Sequence, residues 1–183
     1  MATGSLFLAV FGTAWLCAGS LVAFGVSIPV LACIVAGGTG IVLMALRQLR
    51  IHRPALAAQA ETPERKRIER SFNRVNTAQW VSLVVVCGAL ATTGHGPWIP
   101  PAIMLVVGLH FFPLAVLFNY RWHHVTGAAL VLLAITYPLL APRGPESPIG
   151  LAGAGLILWA SAIGALTAVA AKERIALDAV TGA

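Results

Sequence analysis

The sequence predicts an all-α membrane protein: a six-transmembrane-helix bundle, a single membrane-embedded domain over 1–183, with both termini cytoplasmic. Three observations predict it. Hydrophobic residues make up 58% of the chain, charged residues only 10%, and the mean hydropathy is +0.87. A soluble domain carries about a quarter of its residues as charges. The apolar residues fall in runs about twenty long, the length that crosses a hydrocarbon core of about 30 Å as a helix. The cations lie on one side of those runs, as membrane insertion requires. A soluble enzyme, a disordered chain and a disulfide scaffold are therefore excluded, and a barrel is disfavoured because its strands are about ten residues of alternating polarity.

The expected spans are 5–24, 28–47, 78–95, 99–118, 123–141 and 149–171, and the only charged side chain they contain is Arg47, at the edge of the second. The stretch 5–24 reads as a retained first helix, because no side-chain cation precedes it and Trp15-Leu16 before Cys17 is unlike a lipoprotein signal. Gly25 suits a helix end and Ser27 an N-cap. Span two is followed by a basic loop at about 48–77, in which Pro54 should end the helix. Thr62-Pro63-Glu64 reads as N-cap, first-turn proline and early acid, so a short amphipathic helix should start there and lead into span three. Its apolar stripe would be Ile68, Phe72 and Val75, with Glu61–Arg65 and Arg65–Glu69 pairs on its surface. Gly96-Pro97 separates spans three and four, and Trp98 fits an interfacial belt. Residues 142–148 are too rich in proline for a helix.

Of the 12 Lys and Arg residues, Arg143 alone falls on the far side of the spans. The net charge of +6 is thus topological and gives no reason to expect nucleic acid. Arg65, Lys66, Arg67, Arg70 and Arg74 are placed to meet anionic lipid headgroups at the cytoplasmic face. Cys17, Cys33 and Cys87 lie within spans and act as small apolar residues. Small residues four apart, Ala32, Ala36 and Gly40 in span two and Ala160, Gly164 and Ala168 in span six, are candidate helix-packing stripes, within one chain or in a homo-oligomer. Pro113 and Pro138 interrupt spans four and five and are candidate hinges.

The chemistry-bearing residues are few. His110 is the clearest intramembrane ionisable group, which makes it a functional candidate. Asn76, Gln79 and Trp80 enter span three at the inner side, where Asn119 and Arg121 close span four, so these five could line a vestibule leading to His110. His123 and His124 are adjacent, so they cannot chelate from one helix face. A depth offset of roughly 12 Å, at 1.5 Å per residue, separates His110 from them and argues against a shared haem. No cluster has zinc-ligand spacing, no carboxylate lies in a span, and no protease, P-loop or dinucleotide motif occurs; no cofactor is expected.

The stretch Ile99-Pro100-Pro101-Ala102-Ile103-Met104-Leu105-Val106-Val107-Gly108-Leu109-His110-Phe111-Phe112-Pro113-Leu114-Ala115, with Phe72-Asn73-Arg74-Val75-Asn76 and Trp80 upstream, resembles a bacterial family of small integral membrane proteins without an assigned activity. The resemblance covers about a quarter of the chain and implies a bacterial cytoplasmic membrane protein. Three function classes follow from the residues: a small permease, channel or ligand-binding protein with a polar pocket at spans three and four; an accessory protein that holds a membrane partner; and, with least support, an enzyme acting on a lipid or quinone.

Overall fold

The computed structural model describes the backbone of residues 2–58 and 62–181 and the side chains of residues 4–51 and 62–171. The expected Glu61–Arg65 pair and the cations Arg53, Lys172 and Arg174 lie outside the described side chains. The chain forms helices α1 (Ala2–Phe24), α2 (Ile28–Ala58), α3 (Pro63–Thr92), α4 (Ile99–Leu117), α5 (Trp122–Leu140) and α6 (Pro148–Thr181). All six are long and apolar enough to cross a membrane. Helices are the expected answer, because backbone groups in hydrocarbon must bond within their own segment.

Local sequence explains the boundaries. Gly25 takes a φ of 66° and ends α1. Thr62 caps α3, its hydroxyl accepting from the Arg65 amide at 3.3 Å, with Pro63 in the first turn. Gly94, at φ 77°, turns the chain out of α3 so that the His95 amide reaches back to the Leu90 carbonyl at 2.8 Å. Asn119 does the same for α4 at φ 48°, with the Tyr120 amide bonded to Ala115 at 3.0 Å. These are left-handed C-caps, which only Gly and Asn adopt readily.

Three expectations need correction. Pro54 does not end α2, whose helix runs on to Ala58. The lost amide frees one carbonyl, at Arg50, beyond the apolar run, and Ala55-Leu56-Ala57-Ala58 favours helix. The 48–77 segment is accordingly mostly helical, and the amphipathic helix and span three are one uninterrupted α3. The 142–148 connection contains one 3-10 turn at Gly144–Glu146, matched by another at Gly96–Trp98. Proline tolerates a first-turn position, because its missing amide is unbonded there anyway.

The bundle has two parts. α6 packs along α1, and α2 rests on both; α4 packs on α5, and α3 on α4; α5 meets α6 between them. The α1–α6 contact is tight because Gly12 faces Gly155. A Cβ at Gly155 would lie 2.5 Å from Leu16 Cγ and 2.8 Å from the Gly12 carbonyl oxygen. Trp159 of α6 fills the junction with α2, its indole N–H donating to Thr13 Oγ1 at 3.1 Å and its ring lying against Gly37. Thr126 and Ser161 join α5 to α6 through hydroxyls 2.7 Å apart: one donates to the carbonyl of its own helix, Trp122 or Ile157, and accepts from the other. α4 and α5 cross at Gly108 and Gly127, where a Cβ on Gly127 would meet the Gly108 carbonyl at 2.7 Å.

The small-residue stripes read from sequence are not these seams. Ala32, Ala36, Gly40, Ala160 and Gly164 are exposed on the bundle surface, and Ala168 is half-buried. A Cβ at Gly40 or Gly164 would meet nothing within 4 Å. The seams use the glycines beside them: buried Gly38 against Thr13 and Gly37 against the Trp159 ring in α2, and Gly155 in α6.

These contacts set an expected outcome. Gly155→Val overpacks the α1–α6 crossing and costs about 1–3 kcal/mol, lowering the thermal midpoint of the detergent-solubilised protein. Gly164→Val leaves that midpoint unchanged.

Candidate functional site

The polar groups of α3 and α4 converge on a cleft near the bundle end that carries the α3 cations. Val75, Ala78, Gln79 and Ser82 recur at helical spacing and form one face of α3, while Val106, Leu109, His110 and Pro113 form the opposing face of α4. Between them is a cleft of about 290 Å³. The His110 ring is half-buried and interacts with the Val75 backbone across the seam. Pro113 lies one turn further along and has no amide to give to Leu109, so that carbonyl lacks its helical partner at the cleft wall. α4 nevertheless continues through Pro113 to Leu117, and α5 continues through Pro138 to Leu140.

Imidazole, primary amide and hydroxyl together present both donors and acceptors without a fixed charge. That set recognises a hydrogen-bonding head on an otherwise apolar molecule. It holds no carboxylate to relay protons, and among the described residues no three His, Cys, Asp or Glu side chains come together as a metal site.

Of the six residues expected at a vestibule, the structure brings His110 and Gln79 into this cleft. Asn76 is half-buried one turn from Gln79 but does not line it. Trp80 follows Gln79 and so points to another face, 53% exposed. Asn119 is exposed in the left-handed cap, and Arg121 is exposed just before α5. The vestibule reading therefore reduces to a cleft between two helices. Ser82, which no sequence motif singles out, belongs to it. Its signal was the seven-residue spacing from Val75, two turns on the same face.

The histidines at the start of α5 pack on different rings of α4. The His123 ring stacks 5.5 Å from Phe111, whose ring in turn lies 6.4 Å from His110. Phe111 thus lies between the His110 and His123 rings. His124 turns instead to Phe112, at 5.8 Å, so the adjacent pair diverges as adjacent helix residues must. Tyr120 meets His123 edge-on at 4.9 Å, and burial pushes the Tyr120 phenol above its usual value of 10.

Arg65, Lys66, Arg67, Arg70 and Arg74 are all exposed on the first three turns of α3. Ile68, Phe72 and Val75 are half-buried on the face turned away from Lys66, Arg67, Arg70 and Arg74, with Phe72 packed 6.0 Å from Phe118. The amphipathic stripe read from sequence thus docks α3 onto the end of α4.

The chain matches no family model, no curated protein and no solved structure.

The phenol gives a measurable consequence. In an absorbance titration, the component lost in Tyr120→Phe should ionise above the ordinary tyrosine value, because the neutral form persists where burial disfavours the phenolate. Loss of a component at or below that value contradicts the packing around Tyr120.

Proposed function

We propose that this is a ligand-binding protein of a bacterial cytoplasmic membrane, with both termini cytoplasmic, that takes a small amphiphile into the cleft between α3 and α4. The observation that carries the reading is the meeting of His110, Gln79 and Ser82 in one cleft within the apolar length of two helices. Hydrogen-bonding groups are costly in hydrocarbon unless something satisfies them. A ligand head with a carbonyl or hydroxyl would do so, with its apolar part beside Val106 and Leu109. Pro113 and Pro138 would serve as hinges if the bound molecule is also moved across the membrane. Loop cations on the inner side, near anionic headgroups, agree with this orientation.

A second reading is favoured by a different observation. No described residue of α3 is buried, and the Ala32–Ala36–Gly40 face of α2 is exposed. An accessory protein that holds a membrane partner or a second copy would leave such faces free. It would lose its partner when Arg65, Lys66 and Arg67 are neutralised together.

Native mass spectrometry of the full chain, extracted in mild detergent, tests the first reading. The wild type should retain a small bound mass that Gln79→Leu/His110→Leu loses, with its thermal midpoint preserved. Identical bound masses in the two proteins, or none in either, would refute the assignment of the cleft.

A further inference from the structure

The α3–α4 seam widens again at the opposite end of the bundle. There a groove of about 560 Å³ is walled by Val86 and Leu90 of α3, Leu105 of α4, and Ile135 and Leu139 of α5. The volume lies within the about 300–1,000 Å³ usual for small-molecule sites. Only His95 and Trp98, at the mouth, bring hydrogen-bonding side chains to it.

The mouth is organised by the left-handed cap that ends α3. The Thr93 hydroxyl donates to the Ala89 carbonyl at 2.7 Å, so it accepts from the His95 ring, whose Nδ1 lies 3.1 Å away. A neutral ring then carries its proton on Nδ1 and leaves Nε2 as an acceptor. The two 3-10 turns pack together here, which brings the loop holding Arg143 alongside Trp98. Arg143 is the one Lys or Arg of the loops at this end, and Glu146 is the one acid. The Trp98 indole and the His95 imidazole thus line the entrance to an apolar slot, and the loop that carries Arg143 lies beside it. Water has no partner along such walls, whereas a hydrocarbon chain gains dispersion contact with them.

We propose that this groove binds one glycerophospholipid. An acyl chain occupies the slot, the phosphate meets Arg143 and the Trp98 N–H, and a head-group hydroxyl or ammonium donates to His95 Nε2. The site is separate from the His110 cleft and does not depend on the function assigned to it.

The test uses the full-length protein, delipidated in detergent and titrated by native mass spectrometry with dioleoyl phosphatidylglycerol and, separately, dioleoylglycerol. The expected result is one tightly held phosphatidylglycerol. Its affinity falls about tenfold in Arg143→Gln, the change expected from losing one charge-assisted hydrogen bond. Leu105→Trp, which fills the slot, weakens both ligands, and Arg143→Gln weakens the phosphate-bearing one alone. Ala102→Leu, on the same wall, replaces Leu105→Trp if that variant fails to fold. Arg70→Gln/Arg74→Gln, at the other end, leaves this first lipid bound. Equal binding by wild type and both groove variants overturns the proposal, leaving only lipid that coats the surface. So does a dimer mass that the slot-filling variants abolish, because a second copy would then be the occupant.

Discussion

Everything in this bundle rests on how closely α1 and α6 approach at Gly12 and Gly155. Lipid tails are as apolar as leucine, so burying apolar surface does not drive two helices together inside a membrane; shape and hydrogen bonds must do it. The missing side chains let Leu16 and the Gly12 backbone sit directly on α6. The crossing brings Trp159 within reach of Thr13, and the indole then supplies the surface on which Gly37 of α2 lies. From this hub the rest attaches in order: α5 through the Thr126–Ser161 hydroxyls, α4 through Gly108 against Gly127, and α3 onto α4 without a glycine crossing.

That order grades the molecule. The polar links of the hub are enclosed between helices, where each donor has a defined acceptor. The α3–α4 seam has no backbone-on-backbone crossing of this kind and contains both cavities, with its polar groups spaced along it. Binding regions tend to come from the least firmly packed part of a fold. Here the reason is geometric: a helix held on one side only leaves room beside it.

The sequence made the spans legible because charge is so costly in hydrocarbon that its absence marks them. Turn chemistry was legible too, in Gly25 and in Thr62-Pro63, where a residue's backbone preference acts locally. His110 stood out for the same reason as the spans, as an ionisable group where few are tolerated. What could not be read was direction. These helices are apolar on all sides, so hydropathy does not tell which face meets a neighbour. Gly40 and Gly164 look as suitable for a seam as Gly37 and Gly155; the difference lies in which residue opposes them. The cleft suffered similarly, since sequence depth grouped Asn119 and Arg121 with Gln79, while the left-handed turn that ends α4 leaves the first two on the surface.

α3 is 30 residues long, from Pro63 to Thr92, and at 1.5 Å per residue extends for about 45 Å, more than the hydrocarbon thickness. It passes without a break from a segment studded with arginines into the wall of both cavities. A helix of that length behaves as a stiff rod. Phe72 against Phe118 ties its basic portion to the end of α4. The basic segment, Ser82 and Leu90 therefore sit on one continuous backbone, and where the first is held at the bilayer surface bears directly on where the other two stand.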